Sequence, residues 1–122
     1  MRLLIADDSE ILRSRLVDML SEIEDLDIVG EAADFKEALR AIDLLKPDVV
    51  ILDIRMPGEE GIIVLEDIKK IKEKGPMVIV FTNFPYFQYR KRCLDAGADF
   101  FFYKAVEFEK LLELIGRLSR KR

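Results

Sequence analysis

Five side chains in this sequence carry chemistry that their immediate neighbours do not explain: Asp7, Asp8, Asp53, Thr82 and Lys104. Each stands at the end of a short apolar run, and each has an ordinary structural role open to it. A carboxylate ahead of a helix often caps it, a threonine often ends a strand, and a lysine often decorates a loop. Four different apolar runs, however, each end in one of these groups. If folding brings them together, the acids repel: at ~4 Å and an effective dielectric of about 20, a close pair costs about 4 kcal/mol. Either one carboxyl group is protonated or a cation sits among them. A hard divalent ion suits carboxylate oxygens, and Mg²⁺ takes one or two carboxylates, waters and a phosphate oxygen rather than a closed protein cage. An ammonium and a hydroxyl are redundant for a metal alone, but they suit an anion added later, whose oxygens they would meet. Aspartate can serve as a nucleophile and form an aspartyl-phosphate. The set predicts a phosphoryl-transfer cradle.

Convergence depends on the elements between. Apolar runs of strand length lie at residues 3–6, 28–31, 49–53, 77–81 and 100–103. The third and fourth are nearly continuous Val, Ile and Leu, as in central parallel strands covered on both faces. Segments with apolar residues at helical spacing alternate with them. Leu12, Leu16, Met19, Leu20 and Ile23 make one stripe; Ala38, Ile42 and Leu45 a second; Leu65, Ile68 and Ile71 a third. Residues 86–96 form the least amphipathic segment, and Phe108, Leu111, Leu112, Ile115 and Leu118 the clearest. Ser9 is placed to cap the first helix, and Asp34 with Glu37 has capping-box spacing for the second. Gly75-Pro76 and Gly97 stand where the third and fourth helices should end. Five strands alternating with five helices predict right-handed crossovers and a parallel sheet with helices on both faces. Such sheets carry functional residues at the carboxyl ends of their strands.

The bulk composition agrees. A chain of 122 residues fits one domain, and 50% hydrophobic with 36% charged residues describes a globular domain with a core of its own. One cysteine, Cys93, permits no internal disulfide. The apolar start is stopped by Asp7-Asp8, too soon for a signal peptide, and no run reaches membrane-spanning length, so a cytoplasmic location is expected. A net charge of −4 argues against general nucleic-acid binding. The basic stretch 117–122 suits the end of a helix dipole. With no histidine, these residues can build neither a Ser-His-Asp hydrolase, nor a His-ligated zinc site, nor a phosphohistidine relay.

The segments Ile5-Ala6-Asp7-Asp8, Asp53-Ile54-Arg55-Met56-Pro57-Gly58-Glu59-Glu60-Gly61, Phe81-Thr82 and Phe101-Phe102-Tyr103-Lys104 resemble, in order and spacing, the signature of response-regulator receiver domains. The resemblance covers essentially the whole chain. It implies a flavodoxin-like (βα)5 fold, a doubly wound parallel sheet of order 2-1-3-4-5, with residues 1–122 forming one receiver and no output domain. It implies that Asp53 accepts a phosphoryl group from a histidine kinase or a histidine phosphotransfer protein. Asp8 would bind Mg²⁺ directly, with Mn²⁺ able to substitute. Asp7 would act through water or orient the site, and Asp53 and the Arg55 backbone carbonyl would complete the ligands. Thr82 and Lys104 would grip the phosphoryl oxygens, and Phe101 matches the aromatic that changes rotamer on activation. The implied protein is a signalling switch and not a turnover enzyme. Its output face would join the fourth helix (86–96), the fifth strand (100–103) and the fifth helix (from Phe108). That face would act on a protein partner, as a monomer or a phosphorylation-dependent dimer.

Departures from the family pattern carry expectations of their own. Ala105 follows Lys104 where a proline in a cis peptide is usual, so a trans peptide is predicted. Asn83 is bulkier than the small residue usual after Thr82, which predicts a weaker or differently arranged coupling between Thr82 and Phe101. Arg55 and Phe84 lie two residues beyond Asp53 and Thr82, positions that by the resemblance would flank the line of water attack, and a shielding Phe84 predicts slow loss of the phosphoryl group. Tyr86, Phe87, Tyr89, Phe101, Phe102 and Tyr103 read either as core and edge cover or as a partner-binding face. Three rival readings remain. An aspartate-nucleophile phosphatase would want a second acid where Arg55 stands. A flavin carrier would not place Asp7-Asp8 at its phosphate loop. A phosphorylation-independent interaction module would not need the complete acidic and basic set.

Overall fold

Val49–Leu52 and Met77–Thr82 are made almost wholly of β-branched and aliphatic residues, and both lie buried at the centre of a parallel sheet. The computed structural model describes residues 1–71, 75–83 and 87–120. Its elements run β1 (Arg2–Ala6), α1 (Glu10–Leu20), β2 (Asp27–Ala32), α2 (Phe35–Leu45), β3 (Val49–Leu52), α3 (Gly61–Lys69), β4 (Met77–Thr82), α4 (Phe87–Asp95), β5 (Phe100–Tyr103) and α5 (Phe108–Arg120). The five strands are parallel in the order β2-β1-β3-β4-β5, the flavodoxin-like arrangement.

Alternation along each strand divides the interior into two cores. Leu4, Ala6, Val50, Leu52, Val78, Val80 and Phe101 face α2, α3 and α4. Leu3, Ile5, Val49, Ile51, Ile79 and Phe81 face α1 and α5. The stripe of α5 buries Leu111 and Ile115 as its spacing predicts, and Leu114 with them. Phe108 meets Phe81 edge-on at 5.6 Å.

The predicted caps form, with one change. Ser9 Oγ accepts from the Leu12 N–H at 3.2 Å, and Asp34 Oδ1 accepts from the Glu37 N–H at 2.8 Å. Glu37 does not reach back to Asp34; its carboxylate accepts instead from the Ala33 N–H at 3.3 Å. Gly97, at φ +112°, follows α4 as expected. α3 ends earlier than the Gly75-Pro76 signal suggests, at Lys69. There the Ile71 N–H bonds the Ile68 carbonyl, the i→i+3 tightening that closes a helix, and Ile71 lies outside on the surface. Met19 also faces outward, and Ile23 packs against the core from beyond the end of α1. Among the described residues no peptide is cis, so Lys104–Ala105 is trans. None of their helices is long and apolar enough to cross a membrane.

Candidate functional site

Because all five strands run the same way, their carboxyl ends share one edge, and the ladder continues one residue past three of them. The Asp7 N–H donates to the Ala32 carbonyl, the Asp53 N–H to the Ala6 carbonyl and the Lys104 N–H to the Thr82 carbonyl, each at 2.9 Å. Asp7, Asp53 and Lys104 are therefore held with the rigidity of the sheet although they lie beyond its strands. Thr82 is the last residue of β4, in register with Tyr103.

The five side chains meet. Lys104 Nζ lies 2.5 Å from Asp7 Oδ2 and 2.7 Å from Asp53 Oδ2. Thr82 Oγ1 donates to Asp53 Oδ1 at 2.9 Å, and the Arg55 N–H donates to the same oxygen at 2.9 Å. The Ser9 N–H donates to Asp7 Oδ1 at 2.8 Å. Carboxylate oxygens of Asp7, Asp8 and Asp53 all lie within 4.8 Å of one another, with Asp7 and Asp53 buried and Asp8 exposed. Lys104 is not idle until an anion arrives, as the sequence suggests. It is already the internal counter-ion of two buried acids.

One ammonium does not fully compensate this cluster. Burial pushes the Asp7 carboxyl above its ordinary range, against the opposing pull of Lys104 and the Ser9 N–H, and Asp53 nearby adds to the rise. Burial works against the Lys104 charge too, but its hydrogen bonds to Asp53 and Asp7 outweigh it and raise that pKa. The two directions agree: the ammonium gains from two anions, while each anion shares one cation. Three carboxylates against one lysine leave negative charge at an edge whose donors are all oxygens, a set that fits Mg²⁺ or Mn²⁺ and no soft metal.

The loop after Asp53 is shaped by its glycines. Gly58 adopts φ +116°, and a Cβ on Gly61 would come within 2.2 Å of the Ile54 carbonyl oxygen. Ile54 and Met56 turn into the core while Arg55 stays at the surface. Phe101, 4% exposed, packs edge-on against Tyr103 at 5.1 Å, with the Arg90 guanidinium 5.9 Å from its ring. Asn83 is exposed and, with Tyr103, Ala105 and Val106, lines a surface depression of about 390 Å³. Of the other aromatics, Phe87 is exposed and Tyr89 half-buried, while Phe100 and Phe102 stack toward α1 and α5. Phe84, Tyr86, Lys121 and Arg122 lie outside the described residues.

Sequence reasoning does not single out Arg13. Its Nη1 donates to the Asp7 carbonyl at 2.6 Å and its Nε to Glu31 Oε1 at 3.1 Å. A signal existed: a cation four residues into a helix opposes the positive end of the dipole, so it needs another reason to be there.

A family model for the response regulator receiver domain matches residues 3–116. The chain is 38% identical over 122 residues to a protein-glutamate methylesterase/protein-glutamine glutaminase of Methanospirillum hungatei, covering 98% of this chain and 35% of that protein. It is 39% identical over 114 residues to the transcriptional regulatory protein PdtaR of Mycobacterium tuberculosis, covering 93% of this chain and 54% of that protein. Among solved structures, the response regulator domain of Thermotoga maritima CheB matches with a TM-score of 0.84 at 30% identity, over 99% of this chain and 94% of that one. A signal receiver domain from Colwellia psychrerythraea matches with a TM-score of 0.89 at 26% identity, over 98% of both chains. The chain spans roughly a third to a half of the curated relatives it matches.

Proposed function

The chain belongs to the response regulator receiver family, and from that premise we propose that it is a phosphorylation switch whose acceptor is Asp53. The observation that carries the reading is the meeting of Asp53 with Thr82, Lys104, Asp7 and Asp8 at one sheet edge. Each partner has a separate task in a transfer to a carboxylate.

Family membership points to a phosphohistidine of a kinase or phosphotransfer protein as the donor, and it lies outside these residues, which contain no histidine. An Asp53 carboxylate oxygen attacks phosphorus. The P–N bond breaks as the P–O bond forms, and the electron pair stays on the donor's imidazole nitrogen. Asp7, Asp8, Asp53 and the Arg55 carbonyl would hold Mg²⁺ or Mn²⁺, which would supply positive charge to the phosphoryl oxygens. Lys104 and Thr82 exchange partners, from the carboxylate oxygens they hold here to the new phosphoryl oxygens. Asp53 is 5% exposed under the Lys104 head group, so this exchange also opens the acceptor.

Phosphorylation adds roughly two negative charges and draws Thr82 toward them. Thr82 stands opposite Tyr103, and Phe101 opposite Val80, on the side of the sheet that α4 covers. A shift of Thr82 thus reaches the aromatic pair under α4. The output is a changed α4-β5-α5 face read by a protein partner, in a protein of the cytoplasm, as monomer or phosphorylation-dependent dimer.

Incubation with Mg²⁺ and acetyl phosphate, followed by intact mass, tests the reading. A gain of one phosphoryl group in the parent and none in Asp53→Asn is expected; an equal gain in both would remove Asp53 from its role.

A further inference from the structure

We infer that Arg13 is a positioning residue for divalent-cation binding, which holds the Asp7–Asp8 peptide so that the Asp8 carboxylate faces the other two acids. The inference rests on the reading that this edge takes such a cation.

The three acids are restrained unequally. Asp53 is held by Thr82, Lys104 and the Arg55 N–H, and Asp7 by Lys104 and the Ser9 N–H. Asp8 is the exposed member, and among the described residues no hydrogen bond to its carboxylate is found. Its aim is therefore set by its backbone. The Asp7 carbonyl and the Asp8 N–H belong to one planar peptide, so a restraint on that carbonyl oxygen fixes the plane that carries the Asp8 Cα, from which the side chain departs.

Arg13 supplies the restraint. Its Nη1 donates to the Asp7 carbonyl at 2.6 Å while Nε donates to Glu31 Oε1 at 3.1 Å, and its side chain is only 15% exposed. The planar guanidinium makes both bonds in fixed relative directions, which an ammonium cannot reproduce. α1 thus clamps the end of β1 to the end of β2 directly behind the acids.

Charge and geometry make opposite predictions here. Arg13 is a cation beside a cation site, so on Coulomb grounds its removal should tighten binding; Glu31 offsets part of that repulsion. As a positioning residue its removal should loosen binding, as loss of an outer hydrogen bond to a ligand residue does.

Calorimetric Mg²⁺ titration of the unphosphorylated chain decides between them, with thermal unfolding of each variant recorded alongside. Arg13→Met is expected to bind Mg²⁺ about tenfold more weakly than the parent. Arg13→Lys, which keeps the charge but not the fork, should fall between the two and stands in if the methionine variant does not fold. In an Asp8→Asn background, Arg13→Met should cause little further loss, because its effect passes through Asp8; a merely structural role would weaken both backgrounds alike. Equal or tighter binding by Arg13→Met, or by Arg13→Lys where it stands in, overturns the inference while leaving the cation reading intact. A parent that binds no Mg²⁺ overturns both.

Discussion

Two buried carboxylates share the head group of Lys104, and the consequence is a site that opposes its own stability. Burial raises the Asp7 pKa, so the folded chain holds that proton more tightly than the unfolded chain. Its contribution to stability is fully present below the ordinary carboxylate range and is lost as pH rises through the raised folded value. Neutral pH is therefore where Asp7 costs most. Asp7→Asn is expected to raise the melting temperature at pH 7 by about 4 °C, on the order of 1 kcal/mol, with the gain fading as pH falls through the raised Asp7 value and gone below pH ~4. A calorimetric series across pH checks it; a destabilised variant at neutral pH would mean that the lysine pair outweighs desolvation. Lys104 works in the opposite sense. Its raised pKa stabilises the fold through the neutral range, and that support is lost only as pH climbs past the ordinary lysine value. Cys93 has no such part, since burial pushes its thiol up to about 11 and leaves it unreactive at neutral pH.

Elements turn these residues into a site through their ends. α1 and α2 start where Ser9 and Asp34 cap them, so the caps lie on the same edge as the acids. The start of α3 is set differently: Glu60 makes no side-chain cap, and Gly61 packs directly on the Ile54 backbone. A methyl group there has no room, because the obstructing atom is a carbonyl oxygen and not a flexible side chain. Gly61→Ala is expected to destabilise the fold by about 2–4 kcal/mol in urea titration and to slow phosphorylation by displacing the loop after Asp53. A loss below ~0.5 kcal/mol would show that α3 can slide away from Ile54. The spacing Asp53 to Gly61 was visible in the sequence. Which glycine answers which demand was not: Gly58 serves a left-handed φ and Gly61 a close approach, and both look alike as letters.

The buried Asp7 carboxylate is a burden to the molecule as a whole at neutral pH, and a bound ion would offset it. Mg²⁺ at a hundredfold excess over its Kd is expected to stabilise the folded chain by about 2.7 kcal/mol, and chelation should remove the gain. The midpoint of urea unfolding with and without Mg²⁺ measures this, and Asp8→Asn should lose most of the shift. No Mg²⁺ dependence in the parent would count against the site as a cation cradle. The alternating apolar runs settled the class of fold and the strand ends where chemistry should lie, because hydrophobic period and strand direction are local properties that a linear chain displays. The identity of the five converging groups followed from them: a parallel sheet has one carboxyl edge, and residues at the ends of β1, β3, β4 and β5 have nowhere else to go. What stayed hidden depended on atoms distant in the chain. Sequence could not show that Lys104 already pairs with two acids, that Phe101 already lies buried beneath α4, or that Arg13 reaches the Asp7 carbonyl. Each is a choice among rotamers, made by packing and by the desolvation of neighbouring charges, and those forces exist only once the two helical layers have closed on the sheet.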